Sequence, residues 1–449
     1  MIASAMSFSP TAEQEAAVKA LWQFFRSTDD QPVMLMRGSA GTGKTTLTAA
    51  IVRVMLSLRQ HLMLLAPTGR AAKVLATYSG TNAHTIHRVI YRQKTAADTG
   101  GFAVGFNKYR HTLFVVDEAS MISQQLLCDL VNYVYSGEGC RLMLIGDAAQ
   151  LPPVGEEESP ALQEEVLQYL RLSPVSATLS QVLRQNSGSG ILCNATMVRQ
   201  MITHSEMTQL PRLYLSGFAD VSVCNGNELI EQLSSSYSAV GADDTIVICR
   251  SNRRAVIFNR GIRTQVLGME DQLCSADRVM VVKNKYLPDG KLIANGDRAV
   301  VTRVRRFREL YGFHFCDVTL RLPDYDDAEL QSPMLLDVLD TEAPALTPDQ
   351  QETLKTAILA DYSELPTAAE RLKQLKTDPH WGALQLKFSY AVTCHKAQGG
   401  QWAHVYLDQG YMTDEMLTPD YIHWLYTAFT RATRHLYLVN WPDTQVFQI

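Results

Sequence analysis

Gly38-Ser39-Ala40-Gly41-Thr42-Gly43-Lys44-Thr45 decides the fold of this 449-residue chain. It follows a short apolar run at 32–36 and precedes a helical pattern, so it reads as the turn between a buried strand and a helix. Glycines in such a turn let successive backbone N–H groups curl around a phosphate, and the helix N-terminus adds positive potential. Lys44 is then placed to reach the β- and γ-phosphates of a nucleotide, and the Thr45 hydroxyl to ligate Mg²⁺. Residues 38–46, ending at Thr46, form the expected cradle.

The surroundings repeat the strand-then-helix rhythm. A helix is expected over 11–27, with Thr11 as N-cap and an apolar face of Ala17, Leu21 and Phe24. Short apolar strands are expected at 32–36, 61–65, 112–116 and 141–145, each followed by a polar turn and a helical pattern. Buried strands alternating with helices imply a parallel sheet covered on both faces, with ligands at the carboxyl ends of the strands. A second α/β segment starts near Ser176, carries a strand at 245–249, and resumes near Gln385 through 405–407 and 435–439. Between its halves, 277–322 shows β patterning with turns at Asp289-Gly290 and Asn295-Gly296, which implies a small barrel. Residues 323–379 begin as an acidic loop and become helical from Thr347, followed by Pro348 at the first helical position.

With 46% hydrophobic and 19% charged residues, the composition excludes a disordered or coiled-coil chain. The longest apolar runs are strand-length, well short of the roughly 20 residues that span a bilayer. The first residues show neither a basic nor a continuous apolar signal region. Eight scattered cysteines without a C-x-x-C pattern fit reduced thiols and a cytoplasmic location. Net charge is −5, from 41 basic and 46 acidic residues. Residues 323–366 hold 11 of the acids and one lysine, so the rest has 40 basic against 35 acidic groups. Arginines cluster at 250, 253, 254, 260 and 263, and again at 303, 305, 306 and 308. A local basic surface on an acidic protein suits a polyanion held in one channel, and equally a solvated charged face.

Two further strand ends carry chemistry. Asp117-Glu118 closes an apolar run; one carboxylate can hold Mg²⁺ and its neighbour can deprotonate an attacking water. Gly146-Asp147-Ala148-Ala149-Gln150 closes the next, where the Gln150 amide can report the presence of a γ-phosphate. Binding is thereby joined to hydrolysis.

In order along the chain, these motifs resemble those of superfamily 1B helicases, in the branch of RecD-like and Dda-like enzymes. Thr11-x-x-Gln14 resembles the adenine-reading motif, followed by the phosphate loop, Ala66-Pro67-Thr68-Gly69-Arg70, Thr85-Ile86-His87, Asp117-Glu118-Ala119-Ser120 and the run 146–155. Leu183-Arg184-Gln185, Thr393-Cys394-His395-Lys396-Ala397-Gln398-Gly399-Gly400 and Tyr426-Thr427-Ala428-Phe429-Thr430-Arg431-Ala432 continue the series. Gln401 departs from the pattern, since many relatives have a glutamate there that contacts the ribose.

The resemblance implies two RecA-like P-loop NTPase domains of α/β class, with a hairpin insertion in the first and an SH3-like barrel plus helical insertion in the second. By this reading domain 1A covers 1–88 and 112–175, and 1B covers 89–111. Domain 2A covers 176–276 and 385–449, and 2B covers 277–384, divided at 322/323. The resemblance further implies that Lys44, Glu118, Gln150, Arg184 and Arg431 act on ATP. Gln14, the cradle and Gln401 would bind it, with Mg²⁺ on Thr45 and Asp117. Pro67, Thr68, Thr85, His87, Asn252, Thr393, His395 and Lys396 would line a single-stranded DNA track, gripping phosphates without reading bases. Phe102 or Phe106, near the tip of the 89–111 hairpin, would stack as a wedge at a single-strand/duplex junction; a plain surface hairpin fits as well. The implied activity is ATP-dependent translocation 5′→3′ with duplex unwinding, by a monomer working beside replication or repair proteins. A DNA-stimulated remodelling ATPase, an ATP-gated subunit of a repair or recombination complex, and an RNA-directed enzyme are the alternatives.

Overall fold

The computed structural model describes residues 2–5, 9–93, 102–181, 188–204, 209–287, 292–325 and 327–447. The chain forms two compact units, Met1–Arg92 with Phe102–Cys224 and Ala397–Ile449, and Gln93–Gly101 with Asn225–Lys396.

The first unit is built on a six-stranded sheet. Its order across the sheet is Ala83–Thr85, His61–Ala66, Thr112–Val116, Arg141–Gly146, Pro32–Gly38, Ser173–Leu179, and every pairing is parallel. Side chains alternate across it. Met34, Met36, Leu64, Val115, Met143 and Ile145 face the helices Ala12–Arg26 and Lys44–Ser57, which contribute Leu21, Phe24, Leu47, Ile51 and Met55. Val33, Leu35, Leu65, Phe114, Val116, Leu142 and Leu144 face Leu127, Leu130 and Val134 of the helix Gln124–Tyr135. Each fully buried large apolar side chain contributes about 1.5–3 kcal/mol, so two covered faces hold the strand ends rigidly. The helix Ala12–Arg26 starts where expected: the Thr11 side chain accepts from Gln14 N–H and Gln14 returns a bond to the Thr11 backbone. The strand Ser173–Leu179 corrects the boundary placed at 175/176, because all seven residues pair with Pro32–Gly38 in the first sheet. The rest of this unit carries the parallel strands Val221–Cys224, Ala432–Val439 and Trp402–Asp408, with the helices Gly190–His204 and Pro419–Phe429.

In the second unit the strand Thr245–Cys249 pairs in parallel with Ala391–Thr393, beside the helix Asn252–Gly261. A closed five-stranded barrel follows: Arg278–Val281, Arg298–Leu310, Phe313–Leu322, Ala328–Leu335 and Leu384–Phe388. Two of these strands lie outside 277–322. Ala328–Leu335 was expected as acidic loop, and Leu384–Phe388 as helical insert and sheet. Leu330, Ser332 and Met334 alternate inward and Glu329, Gln331 and Pro333 outward, a strand pattern that the acidic residues just before it mask. Helices Pro348–Asp361, capped by Thr347 with Pro at the first turn, and Ala368–Thr377 cover one end through Leu354, Ile358 and Leu375.

The base of the barrel is clamped by a buried ion pair. Arg263 donates from Nε to Asp277 Oδ1 at 2.8 Å and from Nη2 to Oδ2 at 2.9 Å, and Tyr390 OH donates to Oδ1 at 3.0 Å. Arg263 also lies over the Phe388 ring at 4.2 Å. It therefore belongs to the core, not to the basic surface suggested by its place among the arginines at 250–263. Asp277→Ala would strand a buried guanidinium and is expected to lower stability by about 3–5 kcal/mol. Asp243→Ala, which removes the exposed partner of Arg278 at 2.9 Å, is expected to cost about 1 kcal/mol or less. Urea unfolding of both variants checks this; equal losses would refute the clamp.

Candidate nucleotide site and nucleic-acid track

The phosphate loop leaves its strand at Gly38, where a Cβ would come within 3.0 Å of Leu179, Lys44 and Thr42 side chains. Gly43 precedes the helix Lys44–Ser57 at φ +83°, a left-handed conformation that glycine adopts freely. Thr42 Oγ1 donates to Ser39 O at 2.8 Å, and Lys44 Nζ donates to Ser39 O at 3.0 Å and to Gly38 O. Ser39 Oγ is buried with no partner, one polar group available to a ligand in the cradle. Gln14 is fully buried; its Oε1 accepts from Thr11 N–H at 3.1 Å and its Nε2 donates to Thr42 O at 3.4 Å. That places Gln14 beneath the loop, with both ends of its amide engaged.

At the end of Thr112–Val116 the chain turns sharply, with Glu118 at φ +53° and ψ +40°. A non-glycine residue held there stores backbone strain, a feature concentrated at functional sites. Asp117 accepts the Tyr78 hydroxyl at Oδ2 and Glu118 N–H at Oδ1, 2.9 Å. Burial raises the pKa of Glu118, Arg431 opposes the rise, Asp117 adds to it, Lys44 opposes and Asp147 adds. A carboxylate raised in this way suits a general base working near neutral pH. The hydroxyl of Thr45 and the carboxylate of Asp117 are hard oxygen donors of the kind Mg²⁺ takes alongside water and phosphate oxygens. No cluster of three or more protein metal ligands occurs among the described residues, so a metal here would be held jointly with a nucleotide.

Asp147 and Gln150 follow Arg141–Gly146. Asp147 Oδ1 accepts Ala149 N–H at 3.1 Å, and the buried Gln150 Oε1 has no partner. Residues 426–431 reach the same place. Tyr426 OH donates to Asp147 Oδ2 at 2.6 Å and accepts Ala40 N–H at 3.0 Å. Thr427 Oγ1 accepts Leu151 N–H at 2.7 Å, and Gln398 Nε2 donates to Leu151 O at 2.6 Å. Arg431 is buried, bonded to Thr427 O at 3.1 Å, Gly400 O at 3.2 Å and Thr430 Oγ1 at 3.0 Å. Gln401 is exposed, and its carbonyl accepts from Arg70 at 2.5 Å. Arg184 lies outside the described residues. The sequence reading missed Tyr426, Asp147 and Tyr78 as site residues. Tyr426 lies in the quoted motif, but nothing in its pattern separates a hydroxyl aimed at the loop from a core tyrosine.

The proposed track residues fall in both units. In the first, Thr68 is half-buried and caps Gly69–Ser79 by accepting Ala71 N–H at 3.2 Å; Pro67 beside it is half-buried too. Thr85 is buried and accepts Arg88 N–H at 3.3 Å, so its hydroxyl serves as a helix cap and presents no open surface. His87 is half-buried with its pKa lowered by burial, against Asp129, and its ring lies 5.3 Å from that of Tyr91. In the second unit Asn252, Thr393 and Lys396 line one small cavity with Lys387. Burial lowers the pKa of Lys396 and, with Lys396 nearby, takes Lys387 to about 8. Lys387 is bonded to Val338 O at 3.0 Å and to Thr341 O, which makes it structural. His395 is exposed. In the hairpin, Tyr91–Gln93 pairs with Phe102–Val104, and Phe106 is 78% exposed. The side chain of Phe102 and residues 94–101 lie outside the described residues, as does the expected turn at Asp289-Gly290.

A phosphate loop, two strand-end carboxylates, a buried glutamine and a buried arginine from a C-terminal motif outline a candidate P-loop nucleotide site. The family described as AAA domain matches residues 9–207, and the family described as UvrD-like helicase C-terminal domain matches residues 388–439. The ATP-dependent RecD2 DNA helicase of Deinococcus radiodurans is 32% identical over 170 residues, 36% of this chain and 21% of that protein. The ATP-dependent DNA helicase dda of Enterobacteria phage T4 is 32% identical over 139 residues, 28% of this chain and 29% of that one. This chain thus spans a fifth to a third of the length of these relatives. The structure of a Pif1 helicase from Bacteroides in complex with ADP-AlF3 and ssDNA superposes with TM-score 0.52 at 15% identity, over 99% of this chain and 95% of that one. That likeness shows the fold. The chain thus carries, in order, a segment similar to an AAA domain and one similar to a UvrD-like helicase C-terminal domain. All eight cysteines are free, and no helix among the described residues is long and apolar enough to cross a membrane.

The Glu118 environment sets a pH signature. Its carboxyl ionises at higher pH in the folded than in the unfolded chain, so its contribution favours folding below the ordinary glutamate range and is lost as pH rises through the folded value. Glu118→Gln is therefore expected to melt above the parent at about pH 8, with the gap narrowing toward pH 5. Nucleotide binding should persist while hydrolysis falls by about 10²–10⁴. A melting temperature at or below the parent's at pH 8 would contradict the raised pKa.

Proposed function

We propose that this protein is an ATP- and Mg²⁺-dependent DNA helicase that translocates 5′→3′ on single strands and unwinds duplex DNA. The observation that carries the reading is the meeting of Tyr426, Thr427 and Arg431 with the phosphate loop, Leu151 and the charge of Glu118. A simple nucleotide-binding fold has no need of a distant C-terminal helix bonded to the cradle. A motor does, because that helix passes the nucleotide state to the rest of the chain.

In this mechanism the loop amides and Lys44 bind the phosphates, and Thr45 and Asp117 would hold Mg²⁺, which supplies charge neutralisation on the β- and γ-oxygens. Glu118 takes the proton of the attacking water. Gln150, whose buried Oε1 is unengaged, orients that water, and Arg431 stabilises the charge that develops on transfer. Arg184 is the second proposed arginine. Gln14 supports the loop from below, and Gln401 offers an exposed amide to the ribose. Pro67, Thr68 and His87 form one grip on the strand; Asn252, Thr393, His395 and Lys396 form the other. Neutral hydrogen-bonding groups with one ammonium hold phosphates of any sequence. The division into 1A, 1B, 2A and 2B remains part of this proposal, with the 1A sheet drawn to Leu179 and the barrel drawn to Phe388.

Strand separation on two matched duplexes, one with a 5′ and one with a 3′ single-stranded tail, tests the function beside a Lys44→Ala control. Unwinding from the 5′ tail alone, lost in the control, is expected. A 3′ preference would overturn the direction, and DNA-stimulated hydrolysis with no separation from either tail would favour a remodelling ATPase. The exposed Phe106 generates a second expectation. Phe102→Ala/Phe106→Ala should slow unwinding several-fold at unchanged ATPase, the scale of an aromatic stack worth about 1–3 kcal/mol. Parent-like unwinding would dismiss the wedge.

A further inference from the structure

Asp147 raises a difficulty for the site. Its Oδ2 lies 3.8 Å from Lys44 Nζ, with side chains only 4% and 16% exposed, and attraction between opposite charges is strong where so little water screens it. A carboxylate that closed this gap would hold the ammonium that must serve the phosphates. We propose that Tyr426 is a positioning residue that restrains the Asp147 carboxylate and so keeps Lys44 available to the nucleotide. The inference rests on the nucleotide-hydrolysing reading and adds a residue to it.

The restraint is visible on both sides of Asp147. Oδ2 takes the Tyr426 proton at 2.6 Å, and Oδ1 takes Ala149 N–H at 3.1 Å. The hydroxyl is itself oriented, because Ala40 N–H donates to its oxygen at 3.0 Å and leaves the proton aimed at the carboxylate. Tyr426 is 1% exposed within the helix Pro419–Phe429, so the ring cannot drift. Burial and the Asp147 charge raise the phenol pKa well above its usual value, which keeps the proton on Tyr426 at any working pH. One hydroxyl thus fixes the shape of the loop at Ala40 and the position of the acid beside its lysine.

Phenylalanine fills the same space and removes only the donor. In Tyr426→Phe the Oδ2 atom loses this donor, and the Lys44 ammonium stands 3.8 Å away. Titration of the full chain with a fluorescent ADP should show affinity weakened roughly tenfold to a hundredfold, the range of a hydrogen bond to a charged group. Adding Asp147→Asn should rescue it, since a neutral amide has no pull on an ammonium; a merely structural role would make the double variant worse. Affinity of Tyr426→Phe equal to the parent's, or no rescue in the double variant, would overturn the inference. A second readout needs no nucleotide. Amine-selective acylation of Lys44, followed by mass spectrometry, should be slower in Tyr426→Phe and restored in the double variant. Unchanged or faster labelling in Tyr426→Phe, including the faster labelling of a misfolded chain, would also overturn it. A parent that binds no nucleotide would instead refute the underlying functional reading, while the labelling comparison would still judge the role of Tyr426.

Discussion

The turn from Pro32–Gly38 into Lys44–Ser57 constrains most of the first unit. A loop that points its amides inward cannot satisfy them within itself, so its outer side has to be held by other parts of the chain. Two segments far apart in sequence and one tie within the loop do this. Gln14 supports Thr42 O from the N-terminal helix, Thr42 ties back to Ser39, and Tyr426 meets Ala40 N–H from the C-terminal helix. The parallel sheet beneath brings Asp117 and Asp147 to the same edge because all its strands point one way. Remove the left-handed glycine at 43 and the helix would not start where Lys44 needs it.

What could be read from sequence followed locality. The loop, the carboxylate pair and the capping residues Thr11 and Thr347 were legible, because each is a short-range pattern with a short-range physical cause. The place of Ser173–Leu179 was not, since strand order across a sheet is set by long-range packing, and this strand lies beside Pro32–Gly38, some 140 residues earlier. Ala328–Leu335 was hidden by its setting: it follows an acidic run, carries Glu329, Gln331 and Pro333 outward, and its inward Leu330 and Met334 were too few to announce a strand. Thr85 looked like a phosphate contact and is a buried cap; threonine suits both, and only burial separates them. Tyr426 was out of reach for a related reason, because an aromatic on a buried helix face declares its ring and not the direction of its hydroxyl.

The arginines show the same ambiguity resolved by packing. Arg263 is buried against Asp277, and Arg308 bonds Asp317 at 2.8 Å, so both hold the second unit together. Arg303 and Arg305, in the same sequence cluster as Arg308, are exposed and make no ion pair among the described residues. Sequence clustering thus overstated the basic surface. Of the acidic residues in 323–366, Glu329 lies on a barrel strand and Asp349, Glu352 and Asp361 on the helix Pro348–Asp361, while most of the others fall in the turns between elements.

The clamp at Asp277 also bears on how such a protein diversifies. Val279 pairs with Phe388, Ser389 N–H donates to Arg278 O at 3.0 Å, and Tyr390 closes onto Asp277, so the first and last strands of the barrel lie side by side. More than a hundred residues therefore leave and re-enter the parent fold through one narrow stem. Insertions, losses or exchange of modules between those two strands need not disturb the residues on either flank, because the distance between entry and exit is fixed by the stem. Selection can rework the outer barrel and its helices at one rate and the nucleotide machinery at another, with the buried Arg263–Asp277 pair as the joint that keeps the two histories separate.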